Sequence, residues 1–148
     1  MLNFEINRFD DYNEVIENIL DKNSSKIILF NGDLGSGKTT LIQLICKKLK
    51  IKEKVLSPTF NLINEYQINN DFKVYHFDLY RIKSIQELIE IDFIDYIYSG
   101  NYCFIEWPEI CKDLIDINFK EIFIDIISVD KRLNRYLTDR YERRSQHE

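Results

Sequence analysis

The chain has 148 residues, 45% of them hydrophobic and 30% charged, and a formal net charge of −5. Such a composition describes one globular domain with a core of its own. It argues against unaided binding to nucleic acid, which rests on neutralising phosphates.

No apolar run approaches the roughly 20 residues of a membrane span. Residues 1–8 lack a basic region followed by an apolar one, so a cytoplasmic protein with no membrane partner is expected. Cys46, Cys103 and Cys111 are odd in number and form no C-x-x-C pair. They are expected to be buried or idle thiols.

In chain order, Phe4 to Arg8 reads as a short strand. A helix follows, capped by Asp10 or Asp11, with Val15, Ile16, Ile19 and Leu20 as its apolar face; Asp11 and Glu14 have capping-box spacing. Lys26 to Phe30 is a short run rich in β-branched residues and reads as a buried strand. Thr40 to Leu49 predicts a helix with Leu41, Leu44, Ile45 and Leu49 on one face. Extended runs at Thr59 to Gln67 and Phe72 to Tyr80 are joined by Asn69-Asn70-Asp71, which is turn chemistry. So short a gap makes that pair antiparallel, and the sheet mixed.

Ser84 and Glu87 form a capping box that opens a helix with Ile85, Leu88, Ile89 and Phe93 as its apolar face. Tyr102 to Trp107 reads as a buried strand, and Phe119 to Ser128 as another, apolar on nearly both faces. Asp130 to Glu148 is charged, with helical spacing around Leu133, Tyr136 and Leu137.

The chemistry gathers between the third and fourth of these elements. Gly32-Asp33-Leu34-Gly35-Ser36-Gly37-Lys38-Thr39 fits G-x-x-x-x-G-K-[ST] and holds three of the chain's four glycines. In such a loop successive N–H groups point inward at phosphate oxygens. Lys38 would reach the β- and γ-phosphates, and the Thr39 hydroxyl would ligate Mg²⁺. The positive end of the following helix dipole points the same way. A plain glycine turn is the competing reading, but the loop has the strand before it and the helix after it that phosphate binding requires.

Hydrolysis also needs a carboxylate near the metal and a group that orients water. Asp78 closes one extended run and suits the Mg²⁺ shell. Glu106 closes a buried one, where a carboxylate is costly unless it faces a cleft or a cation; it suits water activation or a metal contact. Thr59, after Ser57-Pro58, could sense the γ-phosphate or the metal. Trp107 could wall the cleft. His76 reads as a packed strand residue. Arg81 could pair with a carboxylate or act on phosphate, and these alternatives stay open. No D-x-x-G or N-K-x-D motif follows, so ATP is expected over GTP.

Four blocks together resemble the TsaE family (formerly YjeE): Gly32 to Thr40, Ser57-Pro58-Thr59-Phe60, His76-Phe77-Asp78-Leu79-Tyr80-Arg81, and Ile105-Glu106-Trp107-Pro108-Glu109. The resemblance implies ATP binding and hydrolysis that drives or resets a complex with TsaD-like and TsaB-like proteins. That complex transfers a threonylcarbamoyl group to the adenosine beside the tRNA anticodon, so tRNA is met indirectly. It assigns Asp33, Leu34, Gly35, Ser36, Gly37, Lys38, Thr39 and Thr40 to ATP or ADP. Thr39 and Asp78 are assigned to Mg²⁺ with Glu106 beside them, Lys38 and Glu106 to catalysis, and Thr59 to the switch.

The expected fold is α/β: a single P-loop NTPase domain over residues 1–130, with a mixed, mostly parallel sheet containing an antiparallel hairpin and helices on both faces. A charged tail, 131–148, follows. Lys131, Arg132, Arg135, Arg140, Arg143 and Arg144 outnumber Asp139 and Glu142 there, an excess that could meet tRNA or an acidic partner. Two other functions use the same loop: a small-metabolite or nucleoside kinase, and a non-catalytic nucleotide-gated adaptor.

Overall fold

β-Branched and aromatic residues dominate the run that becomes the centre of the sheet, β2 (Ile27–Asn31), in which Ile27, Ile28, Leu29 and Phe30 are all buried. A strand buried on both faces needs neighbours on both edges and helices above and below. The computed structural model, which describes residues 2–58, 61–127 and 135–142, provides both. The other strands are β1 (Leu2–Ile6), β3 (Ile63–Gln67), β4 (Lys73–Asp78), β5 (Tyr102–Glu106), β6 (Phe119–Ile126) and β7 (Arg135–Glu142). The α-helices are α1 (Tyr12–Ile19), α2 (Lys38–Lys48), α3 (Ile85–Glu90) and α4 (Phe93–Ile97).

The described residues form one seven-stranded sheet in the order β1-β7-β6-β2-β5-β4-β3. β6, β2, β5 and β4 run parallel. Antiparallel pairs close both sides, β3 on β4 and β7 with β1 on β6. Alternation along β2 sends Ile28 and Phe30 to the layer of α1 and α2, and Ile27 and Leu29 to the layer of α3 and α4. The mixed α/β fold with helices on both faces is therefore present.

Local chemistry explains the element ends. Asn69 Oδ1 accepts from the N–H of Asp71 (2.8 Å) and of Phe72 (2.9 Å), closing the β3–β4 turn. Glu87 Oε2 accepts from the Ser84 N–H at 3.0 Å, and Ser84 Oγ from that of Glu87 at 3.4 Å, which is the capping box. All three cysteines are free and buried, and burial pushes each thiol up to about 12.

Five sequence expectations need correction. Asp11 does not box with Glu14; its carboxylate accepts from the Asn7 and Arg8 N–H groups and caps the 3₁₀ turn Phe9–Asp11 ahead of α1. α2 begins at Lys38, and Ile42 and Cys46 join Leu41 and Ile45 in its buried face, while Leu44 and Leu49 are only partly buried. Ile85 and Ile89 are 45% and 54% exposed. Asp92, at φ 57°, breaks that helix in two, and only Leu88 of α3 reaches the core with Phe93 and Ile97. β6 is not apolar throughout. Buried Lys120 donates to the Asn18 carbonyl and buried Glu121 pairs with Lys112, while Asp125 and Ile126 are exposed.

The fifth concerns the expected helical tail. Residues 135–142 are a strand whose Leu137 is buried opposite Ile124. An open β6 edge carrying Ile122 and Ile124 is satisfied by pairing, so this part of the expected tail lies inside the sheet. Lys131, Arg132, Leu133, Arg143 and Arg144 lie outside the described residues.

The Phe30 ring meets Phe104 edge-on at 5.9 Å across the β2–β5 pair. Phe30→Ala should lower the unfolding free energy by about 3–5 kcal/mol in a urea titration. A loss below about 1 kcal/mol would show that this layer repacks around the gap.

Candidate functional site

Gly35 and Gly37 sit at φ 78° and 106°, backbone that L side chains rarely adopt. They bend the chain between β2 and α2. Gly32 is needed for closeness instead, because a Cβ there would collide with the Ser36 side chain. The Leu41 N–H bonds to the Gly37 carbonyl at 3.0 Å, so the N–H groups of the first turn of α2 have no acceptor within the helix. They open on a cavity of about 270 Å³ lined by Leu34 to Thr40, Ser57, Asp78, Glu106 and Trp107.

The acidic side of that cavity comes from two neighbouring parallel strands. Asp78 and Glu106 are register partners at the carboxyl ends of β4 and β5, where parallel α/β sheets place ligands. Glu106 is only 2% exposed. Its Oε2 lies 2.7 Å from His76 Nε2, and its Oε1 accepts from Thr39 Oγ1 at 3.3 Å. The Thr39 hydroxyl is also 2.7 Å from Ser57 Oγ. Asp78 Oδ1 accepts from the Tyr80 N–H at 3.0 Å.

The cationic side is Lys38. Its ammonium donates to the Gly32 carbonyl and lies 3.4 Å from the centroid of the Trp107 ring. Trp107 is held at φ 56°, a strained conformation for so large a residue. Its ring meets Tyr80 at 4.9 Å. Burial draws the Lys38 amine below its ordinary value, and the carboxylates of Glu106, Asp78, Glu109 and Asp33 oppose that. Asp78 is raised above the usual carboxylate range, first by burial and then by the neighbouring Glu106. A bound anion would relieve the first, a bound cation the second.

The structure thus brings together Gly35, Ser36, Gly37, Lys38, Thr39, Thr40, Asp78 and Glu106, with Leu34 at the cavity edge. Asp33 acts through its carbonyl, which accepts from the Ser36 N–H at 3.0 Å. Thr59 lies outside the described residues. Arg81 is exposed and lines a neighbouring cavity of about 220 Å³ with Asn61 and Tyr80.

Three contributors were not assigned from the sequence. Pro58 holds the preceding Ser57 extended, and Ser57 Oγ meets the Thr39 hydroxyl. Tyr80 enters only as part of the His76–Arg81 block, with no role of its own. His76 had a signal, its spacing of two from Asp78, which places both on one strand face.

The donor set at the cavity is hard oxygen from Thr39, Asp78 and Glu106, which suits Mg²⁺. Among the described residues no group of three or more His, Cys, Asp or Glu forms a metal cage. A larger cavity of about 550 Å³ between α1 and α2 has only exposed charges, Asp10, Glu17, Lys47 and Lys48, around Ile16 and Leu44. The convergent polar groups are at the glycine loop. No helix among the described residues is long and apolar enough to cross a membrane.

The profile of a family described as threonylcarbamoyl adenosine biosynthesis protein TsaE matches residues 6–137. Among curated relatives, tRNA threonylcarbamoyladenosine biosynthesis protein TsaE of Rickettsia felis is 40% identical over 117 residues, 78% of this chain and 67% of its own. Its counterpart in Rickettsia typhi is 44% identical over 108 residues, 72% and 74% of the two chains. The Haemophilus influenzae protein is 41% identical over 83 residues, 56% and 52%. Among solved structures, YdiB of Bacillus subtilis superposes with a TM-score of 0.67 at 22% identity, over 93% of this chain and 83% of that one. This last likeness concerns the fold.

Burial raises the Asp78 carboxyl above its ordinary range. Its folded pKa lies above the unfolded one, so ionised Asp78 destabilises the free protein above the folded pKa. The penalty fades as pH falls through that value and is gone below the unfolded value. Asp78→Asn keeps the Oδ1 acceptor for Tyr80 and removes the charge. The variant should melt roughly 2–4 °C higher than the parent at pH 7 without nucleotide, with the gap closing towards pH 4. An equal or lower melting temperature at pH 7 would contradict the assignment.

Proposed function

The chain belongs to the TsaE family of tRNA threonylcarbamoyladenosine biosynthesis, nucleotide-binding proteins of P-loop type, and from that premise we propose that it binds and hydrolyses ATP, releasing ADP, with TsaD-like and TsaB-like proteins as partners in the cytoplasm. Contact with tRNA is indirect, through that complex. The observation that carries the reading is convergence. The Lys38 ammonium, the Thr39 hydroxyl and the Glu106 carboxylate meet at one loop mouth, with Thr39 Oγ1 3.3 Å from Glu106 Oε1.

Each residue has a role in this proposal. The loop amides from Asp33 to Thr40 line the phosphates. Lys38, anchored by the Gly32 carbonyl and faced by Trp107, supplies fixed charge to their oxygens. Thr39 and Asp78 hold Mg²⁺, with Glu106 beside them; when bound, the ion neutralises charge on the phosphate oxygens. Glu106 orients a water for in-line attack and accepts its proton. Thr59 serves as the switch that senses the γ-phosphate. Turnover by the chain alone is slow, because a cationic group supplied by a partner can be worth about 10³–10⁵ in rate.

Calorimetry and phosphate release, each with and without the partner proteins, test this. Lys38→Ala should abolish both binding and turnover. Glu106→Ala should bind Mg·ATP within about threefold of the parent and lose turnover by about 10²-fold or more. Full turnover in either variant overturns the assignments. Nucleotide binding with no phosphate release, partners present, supports the adaptor instead. A stoichiometrically phosphorylated nucleoside supports the kinase.

A further inference from the structure

Glu106 is a carboxylate at a dry strand end, and the reading above needs one of its oxygens to face the phosphate cavity. Something must hold the other. The register of β4 and β5 pairs His76 with Phe104 and Asp78 with Glu106. All four therefore share one sheet face, the face of α2, where Val74 also lies. His76 is fully buried one step beneath the site, with Nε2 2.7 Å from Glu106 Oε2.

The chemistry of the pair assigns the proton. A carboxylate only accepts, so Nε2 must donate. His76 Nδ1 is buried with no hydrogen-bond partner among the described residues. Asn64, its register partner on β3, turns its amide to the Leu56 carbonyl (3.0 Å) and the Tyr66 hydroxyl (3.3 Å) instead. A buried N–H without an acceptor is worse tolerated than a bare ring lone pair. The ring therefore carries a proton on Nε2 and leaves Nδ1 bare.

We infer that His76 is a positioning residue: its Nε2–H pins Glu106 Oε2, so that Oε1 is turned to Thr39 and the phosphate cavity. A phenylalanine or leucine would fill the same space but could not fix the carboxylate rotamer. The inference rests on the hydrolytic reading of Glu106 for its consequence, but not for its geometry.

The geometry is tested on the whole chain by ¹⁵N–¹H correlation of the histidine ring. A protonated Nε2 and an unprotonated Nδ1 are expected for His76, with the Nε2 proton shifting in Glu106→Gln. A proton on Nδ1, or no response to Glu106→Gln, overturns the pin whatever the enzyme does.

The consequence is tested by kinetics with the partner proteins. His76→Gln sets an amide N–H near the position of Nε2, whereas His76→Asn falls short of it by one methylene. The Asn variant, and His76→Leu if folded by circular dichroism, should lose about 10–100-fold in kcat with KM and nucleotide affinity unchanged. The Gln variant should stay within about fivefold of the parent. Equal kcat in Asn, Leu and parent overturns the inference, as does equal loss in Asn and Gln. If the parent itself releases no phosphate, the hydrolytic reading fails while the ring spectrum still decides the pin.

Discussion

The buried carboxylate of Glu106 ties the candidate site together. Glu106 lies at the end of β5 with almost no contact with water, and desolvation makes such a charge expensive unless its oxygens are met. One oxygen is met from β4 by His76 and the other from α2 by Thr39. The same residue therefore ties two strands and the glycine loop's helix to one point. Its backbone joins in, because its carbonyl accepts from the Leu79 N–H at 3.1 Å and carries the chain past the end of β4. What reads as a catalytic group is also the bolt that sets the distance between the acidic wall and the phosphate loop.

The loop and its flanking elements were legible because their signals are local. Spaced glycines, a β-branched run ahead and a lysine–threonine pair behind all act within one stretch of backbone, and the structure places them together. The turn at Asn69 and the cap at Ser84 were legible for the same reason. Strand ends at Asp78 and Glu106 could be found from burial pattern alone. That the two are neighbours could not, since their register depends on a crossover of more than twenty residues. His76 shows the limit most clearly. Its identity suggested packing, and only the partner strand gave its ring a task.

The misreadings share a cause. Helical spacing around Leu137 is short enough to fit a strand as well, and the deciding fact is the open apolar edge of β6, a tertiary demand. Ile85 and Ile89 sit at the right interval for a buried face, but Asp92 ends the rod too soon for both to be covered. Periodicity states which residues share a side. It does not state how long the element lasts or what lies opposite.

The sheet order has a consequence for the chain's birth. Among the described residues β1 is bonded to β7 alone, so it waits through more than a hundred intervening residues for its partner strand. Meanwhile the parallel heart of the sheet can assemble without either of them. A chain that has released β6 but not β7 would thus carry two unpaired margins, β1 and the outer edge of β6. Quality control in the cell would meet a body whose parallel centre is closed before its seam is sewn.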